Sequence, residues 1–120
     1  MAGCEKIIYK DKEILFFDHV GLLDDDLLNN IKKGTNMILD SKNNDLLCIG
    51  DFTGTFLNSE IMAYLKSSDN KIAMKKVKKM AVIGITGLKK LFLKVFNSVT
   101  RSGARPLDNL DAAKEYVVSE

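Results

Sequence analysis

Two β-prone runs open the chain, Lys6 to Tyr9 and Glu13 to Asp18, separated by the polar tripeptide Lys10-Asp11-Lys12, which suits a hairpin turn. Ile14, Phe16 and His19 are expected to point one way and Leu15 and Phe17 the other, so the second strand is apolar on both faces and should be covered on both. Beyond the acidic cluster Asp24-Asp25-Asp26, the spacing of Leu27, Leu28, Ile31, Met37 and Ile38 predicts a helix, with the aspartates capping its positive N-terminal end. Gly34 weakens or kinks this helix, and the polar run Asp40 to Asp45 ends it. Leu46 to Gly50 is short and continuously apolar, the pattern of a central strand. A loop from Asp51 to Phe56 leads to Asn58 or Ser59, either of which can cap a helix carrying Ile61, Met62, Tyr64 and Leu65.

Asp69 is read as the cap of a further basic helical segment containing Ile72, Lys75, Lys76, Val77, Lys78 and Lys79. Met80 to Ile85 then predicts a second buried strand, the turn Gly84-Ile85-Thr86-Gly87 follows, and a helix runs from Leu88 to Thr100. Leu88, Leu91, Phe92, Val95, Phe96 and Val99 share one arc of that helix, with Lys90 and Lys94 opposite and Leu93 outside the arc and exposed. Arg105-Pro106-Leu107 is a short extended piece suited to a sheet edge, and a last helix covers Asp111 to Val118. The order β-β-α-β-α-β-α-β-α implies an α/β fold in a single domain, residues 1–120. Its mixed sheet should hold about five strands, covered by about four helices.

Composition agrees with this picture: 46% of residues are hydrophobic, enough for a core, and 28% are charged, enough for a solvated surface. Met1 to Tyr9 contains Glu5 and Lys6 and has no secretory signal pattern, and the longest apolar stretches fall well short of the roughly 20 residues that span a bilayer. A cytoplasmic location is expected. The two cysteines, Cys4 and Cys48, have no partner at metal-ligand spacing, and Cys48 sits in an apolar run as a small hydrophobe. No metal and no cofactor are expected.

The net charge of +2 hides a division. Residues 1–60 hold six Lys against eleven acids (6 − 11 = −5), and residues 61–120 hold twelve Lys and Arg against five acids (12 − 5 = +7). Such a division can steer an anionic partner or pair two copies head to tail.

Two segments carry a resemblance to a known family. They are Leu47-Cys48-Ile49-Gly50-Asp51-Phe52-Thr53-Gly54, and Met80 to Lys90 with the downstream Asp111 to Val117. With the element order, they make nearly the whole chain resemble the STAS superfamily, in particular its SpoIIAA-like branch, often grouped with lipid-binding domains of the CRAL-TRIO type. Anti-sigma-factor antagonists of that superfamily carry a phosphorylated serine in the loop after a strand, and Asp51, Thr53, Gly54, Phe56 and Ser59 look like that loop, Ser59 nearest the modified position. Asn58 stands where the motif has Asp, Glu60 stands where a small residue is usual, and the spacing from Gly54 is short. A phosphate on Ser59 would gain from a helix N-terminus and meet repulsion from Glu60. Ser59 therefore has two readings, a regulatory phosphosite or plain helix capping shared with Asn58.

Catalytic chemistry is thinly represented. His19 is the lone histidine, with no serine or cysteine beside it in sequence, so no enzyme activity is expected. Gly84, Thr86 and Gly87, with Lys89, Lys90 and Lys94 beyond them, have the ingredients of an anion site, although they do not match a phosphate-binding loop. The lysines of the second half lack the interleaved aromatics of a nucleic-acid reader, and Leu93 and Phe96 beside Lys89 suit a membrane surface better. Two functional expectations follow. One is a non-catalytic STAS-like interaction or regulatory domain that binds a partner protein, or itself as a homodimer, through Asp51 to Ser59. The other is a carrier or sensor of a lipid-like or other anionic ligand, held between the sheet and the helix Leu88 to Thr100.

Overall fold

The computed structural model describes residues 3–119. Met1 and Ala2, which open the stretch read above for a signal peptide, lie outside the described residues. Strands β1 (Gly3–Tyr9) and β2 (Lys12–Asp18) form an antiparallel hairpin. Lys10 and Asp11 both take positive φ, so the connection is a two-residue turn of the kind whose twist matches a hairpin, and Lys12 already pairs with Tyr9. Helix α1 (Asp24–Asp40), strand β3 (Leu46–Asp51), helices α2 (Ser59–Leu65) and α3 (Ser68–Met74), strand β4 (Val77–Ile83), helix α4 (Lys89–Thr100), strand β5 (Arg105–Leu107) and helix α5 (Leu110–Val118) complete the order.

The sheet runs β1-β2-β3-β4-β5, with β2 to β5 parallel. Parallel strands taken in chain order force every crossover in the same direction, and right-handed crossovers then bring all the connecting helices to one face. The two cores follow that rule. Leu15, Phe17, Leu46, Cys48, Met80 and Val82 pack under α1 to α4 on one face. Ile14, Ile49, Ala81 and Ile83 pack under α5 on the other. Period-2 alternation in β2, β3 and β4 feeds both cores, which is why these strands read as continuously apolar.

Several expectations are corrected. His19 lies on the same face as Phe17 and not with Ile14 and Phe16, because His19 is two positions from Phe17 and strand parity puts them together. α1 runs unbroken through Gly34, whose missing side chain leaves room for the Phe17 ring: a Cβ there would come within 3.0 Å of it. Asp24, Asp25 and Asp26 occupy the first turn of α1, but the N-cap is Leu23 and no side chain caps the helix. The basic helical segment is split. α3 is capped by Ser67 and not by Asp69, and β4 begins at Val77, so Val77, Lys78 and Lys79 are strand residues. The helices number five among the described residues. No helix among them is long and apolar enough to cross a membrane.

The largest correction concerns α4. Leu93 is half-buried against the core with Phe92, while Leu88, Leu91 and Val95 are exposed. The inner face is Lys89, Phe92, Leu93, Phe96 and Thr100, spaced i, i+3, i+4, i+7 and i+11, and the exposed apolar residues lie to one side of it.

Candidate functional site

The parallel strands end at one edge of the sheet, where three loops meet. Asp51 closes β3, and its Oδ1 accepts hydrogen bonds from the Thr53 amide (3.0 Å) and the Thr53 hydroxyl (2.7 Å), a local turn that short acidic side chains favour. The loop is tied to both neighbours. The Gly21 amide donates to the Thr53 carbonyl (2.9 Å), and the Phe52 amide donates to the Ile83 carbonyl (2.8 Å). Gly84, at φ +75°, lies so near this loop that a Cβ on it would fall 2.5 Å from the Thr53 nitrogen. The residues of the two sequence-read sites, Asp51-Thr53-Gly54 and Gly84, are therefore brought together.

Lys89 joins them. Its Nζ donates to the Phe52 carbonyl at 3.0 Å, and removal from solvent lowers its pKa below the ordinary lysine value, with the Asp51 charge opposing. Thr86 and Gly87 are exposed and make the turn into α4, their carbonyls accepting from the Lys89 and Lys90 amides (3.1 Å each). Lys90 and Lys94 are exposed, on the outer side of α4 from Lys89. Asn58 is the N-cap of α2, its Oδ1 accepting from the Ile61 amide at 2.8 Å, and Ser59 is the first helical residue, exposed. Asn58→Ala should lower stability by about 1 kcal/mol, read as a shift in urea midpoint at unchanged slope.

Behind Lys89 a cavity of about 70 Å³ lies between the sheet and α1, α2, α3 and α4. Its wall is largely apolar, with Phe17, Phe52, Ile85, Phe92, Leu93 and Phe96 among the lining residues. Polar groups in that wall are few and mostly committed. The Thr35 hydroxyl donates to Asn70 Oδ1 (3.2 Å), and Asn70 Nδ2 donates to the Tyr64 carbonyl (2.9 Å), so these two serve to join α1 and α3.

His19 differs. It is buried between the Phe17 and Phe52 rings, with ring centroids 6.5 and 4.7 Å away. Asn30 Nδ2 on α1 lies 2.9 Å from His19 Nδ1 and 3.0 Å from the Asp18 carbonyl. An amide NH₂ can only donate, so Nδ1 is the acceptor, and a neutral ring carries its proton on Nε2. Among the described residues Nε2 has no hydrogen-bond partner. Burial lowers the His19 pKa to about 4, with Asp18 and Asp51 opposing.

His19, Asn30 and Phe17 were not singled out by sequence reasoning as site residues, and Leu93 and Phe96, read as a membrane-facing flank beside Lys89, are turned inward onto the core instead. The available signal was the parity of Phe17, His19 and the apolar strand positions before them. Among the described residues no group of three His, Cys, Asp or Glu side chains is arranged to hold a metal ion.

No family model matches the sequence, and no curated protein matches it. The fold has a clear counterpart in the crystal structure of an uncharacterized protein from the DUF3478 family with a SpoIIAA-like fold, from Shewanella loihica PV-4. The TM-score is 0.67 at 20% sequence identity, over 98% of this chain and 95% of that one. The chain has a SpoIIAA-like α/β fold, and at this identity the likeness concerns the fold alone.

Proposed function

We propose that this protein is a non-catalytic binding domain for a small apolar or amphipathic molecule, held beneath α4 with any acidic head group at Lys89. The observation that carries the reading is the apolar cavity bounded by Phe92, Leu93 and Phe96, with Lys89 as the cation in its wall. A cavity of about 70 Å³ is less than half the roughly 150 Å³ that accommodates benzene in an apolar core, so a longer chain enters only as α4 moves outward. Non-catalytic retention is supported by the state of the reactive groups. His19 is neutral at physiological pH, and burial pushes the Cys48 thiol up to about 12, so neither offers an activated nucleophile or acid.

Titration with a fluorescent fatty-acid analogue tests this. Wild type should bind it saturably, and Leu93→Trp, which fills the space under α4, should weaken binding by about tenfold or more, the size of effect a well-placed steric block has on a packed site. Leu91→Trp, on the outer side of the same helix, should bind as wild type. Equal affinity in Leu93→Trp and wild type would place the ligand elsewhere.

A second reading, a regulated protein-interaction loop, is favoured by one specific feature: Phe56 is 58% exposed three residues before the exposed Ser59. Its test is the intact mass of protein taken from its own cells. An added phosphate that disappears in Ser59→Ala supports it, and an unmodified mass removes it.

A further inference from the structure

The outer half of α4 is divided lengthwise into two stripes. At 100° per residue, Leu88, Leu91 and Val95 fall within one arc of about 60°, while Lys90 and Lys94 fall within a second arc of about 40°, with Ser98 between the two. The apolar stripe is open, with Leu88 66%, Leu91 57% and Val95 37% exposed. α4 contains no acidic residue. A helix that presents aliphatic side chains beside a row of cations has the composition of one that lies in a membrane interface, its apolar stripe entering the acyl boundary and its cations meeting phosphates.

We propose that the outer face of α4 docks on an anionic lipid bilayer. Charge decides among occupants. A second copy packing α4 antiparallel about a two-fold axis would bring Lys90 and Lys94 against their own equivalents, and a parallel pair would bury those lysines against the apolar stripe, so charge opposes both arrangements. A bilayer with acidic head groups supplies the opposite charge and an apolar layer together. This surface is separate from the cavity, being the opposite side of the same helix.

The test is co-sedimentation with vesicles of phosphatidylcholine alone or mixed with phosphatidylglycerol. Wild type should bind the mixed vesicles, bind phosphatidylcholine weakly, and be released by salt. Lys90→Glu with Lys94→Glu, and separately Leu91→Ser with Val95→Ser, should each reduce the bound fraction by about tenfold or more. All four positions are exposed, so these variants should keep the wild-type circular dichroism and melting curve. Three results would overturn the proposal: no binding to either vesicle, equal binding to both, or a concentration-dependent dimer that Leu91→Ser with Val95→Ser dissolves. Titration with the fatty-acid analogue in the absence of vesicles keeps the two readings apart. Both double variants should retain wild-type affinity for it, and Leu93→Trp should lose the analogue while still binding vesicles.

Discussion

Gly84→Ala should destabilise the protein by about 3 kcal/mol or more, among the largest effects expected of any single methyl group added here. Two costs combine. Gly84 has φ +75°, a region that costs an L-residue about 1–2 kcal/mol. The added Cβ would also meet the Thr53 nitrogen at 2.5 Å and the Thr53 Cα at 2.6 Å. Those are backbone atoms, held by the Asp51 turn and by the Phe52 amide bond to Ile83, so no side-chain rotation relieves the contact. The loops after β3 and β4 must separate, and with them the Lys89 bond to Phe52 and the end of the cavity. Gly87→Ala isolates the first cost: its φ is +58°, and nothing lies within 4 Å of the added Cβ. That variant should lose only about 1–2 kcal/mol. Urea unfolding of both variants measures the difference, and equal losses would mean that the close approach of the loops contributes nothing.

Acid should destabilise the fold by about 3 kcal/mol through His19 alone. Its pKa falls from 6.5 to about 4 on folding, because the ring is buried between Phe17 and Phe52, with the Asp18 and Asp51 charges opposing. Above pH 6.5 neither state binds the proton, and stability is independent of this group. Between pH 6.5 and pH 4 the unfolded chain takes up a proton that the native ring refuses, so stability falls as pH falls. The loss is complete once pH drops below about 4, where both states are protonated. His19→Leu removes the linkage. Its stability should change much less than that of wild type between pH 7 and pH 4.5, measured by urea unfolding at each pH. An equal decline in the two proteins would assign the acid sensitivity to the carboxylates instead.

The second prediction turns on a residue whose placement was within reach of the pattern. His19 is two positions beyond Phe17, and alternation along a strand that continues one residue past Asp18 puts both on the face under α1. Placing His19 with Ile14 and Phe16 breaks that period. The Asn30 donor could not have been found in this way, because it comes from α1 across the layer boundary. The same holds for Thr35 and Asn70, two helix residues of unremarkable type that meet only when α1 packs on α3. Loop residues were more accessible. Asp51, Gly54, Asn58 and Gly84 are of the types that turns and caps require, and each is found at such a place.

Strand number, strand order along the chain and the α/β class were determined by the sequence itself. Short β-branched and apolar runs bounded by Gly, Asn and Asp leave little choice of element, and parallel strands taken in order put their crossover helices on one side. The limit was reached at Val77-Lys78-Lys79, where lysines on a partly solvated strand start gave the same signal as a basic helix. It was reached again on α4, which is apolar around most of its circumference. A periodic pattern identifies an inner face only when one arc is apolar and the rest is polar. With Leu88, Leu91 and Val95 as hydrophobic as Phe92, Leu93 and Phe96, the rotation of α4 was decided by tertiary packing. The Lys89 bond to Phe52 and the fit of Phe96 into the core turn one apolar side inward and leave the other facing out.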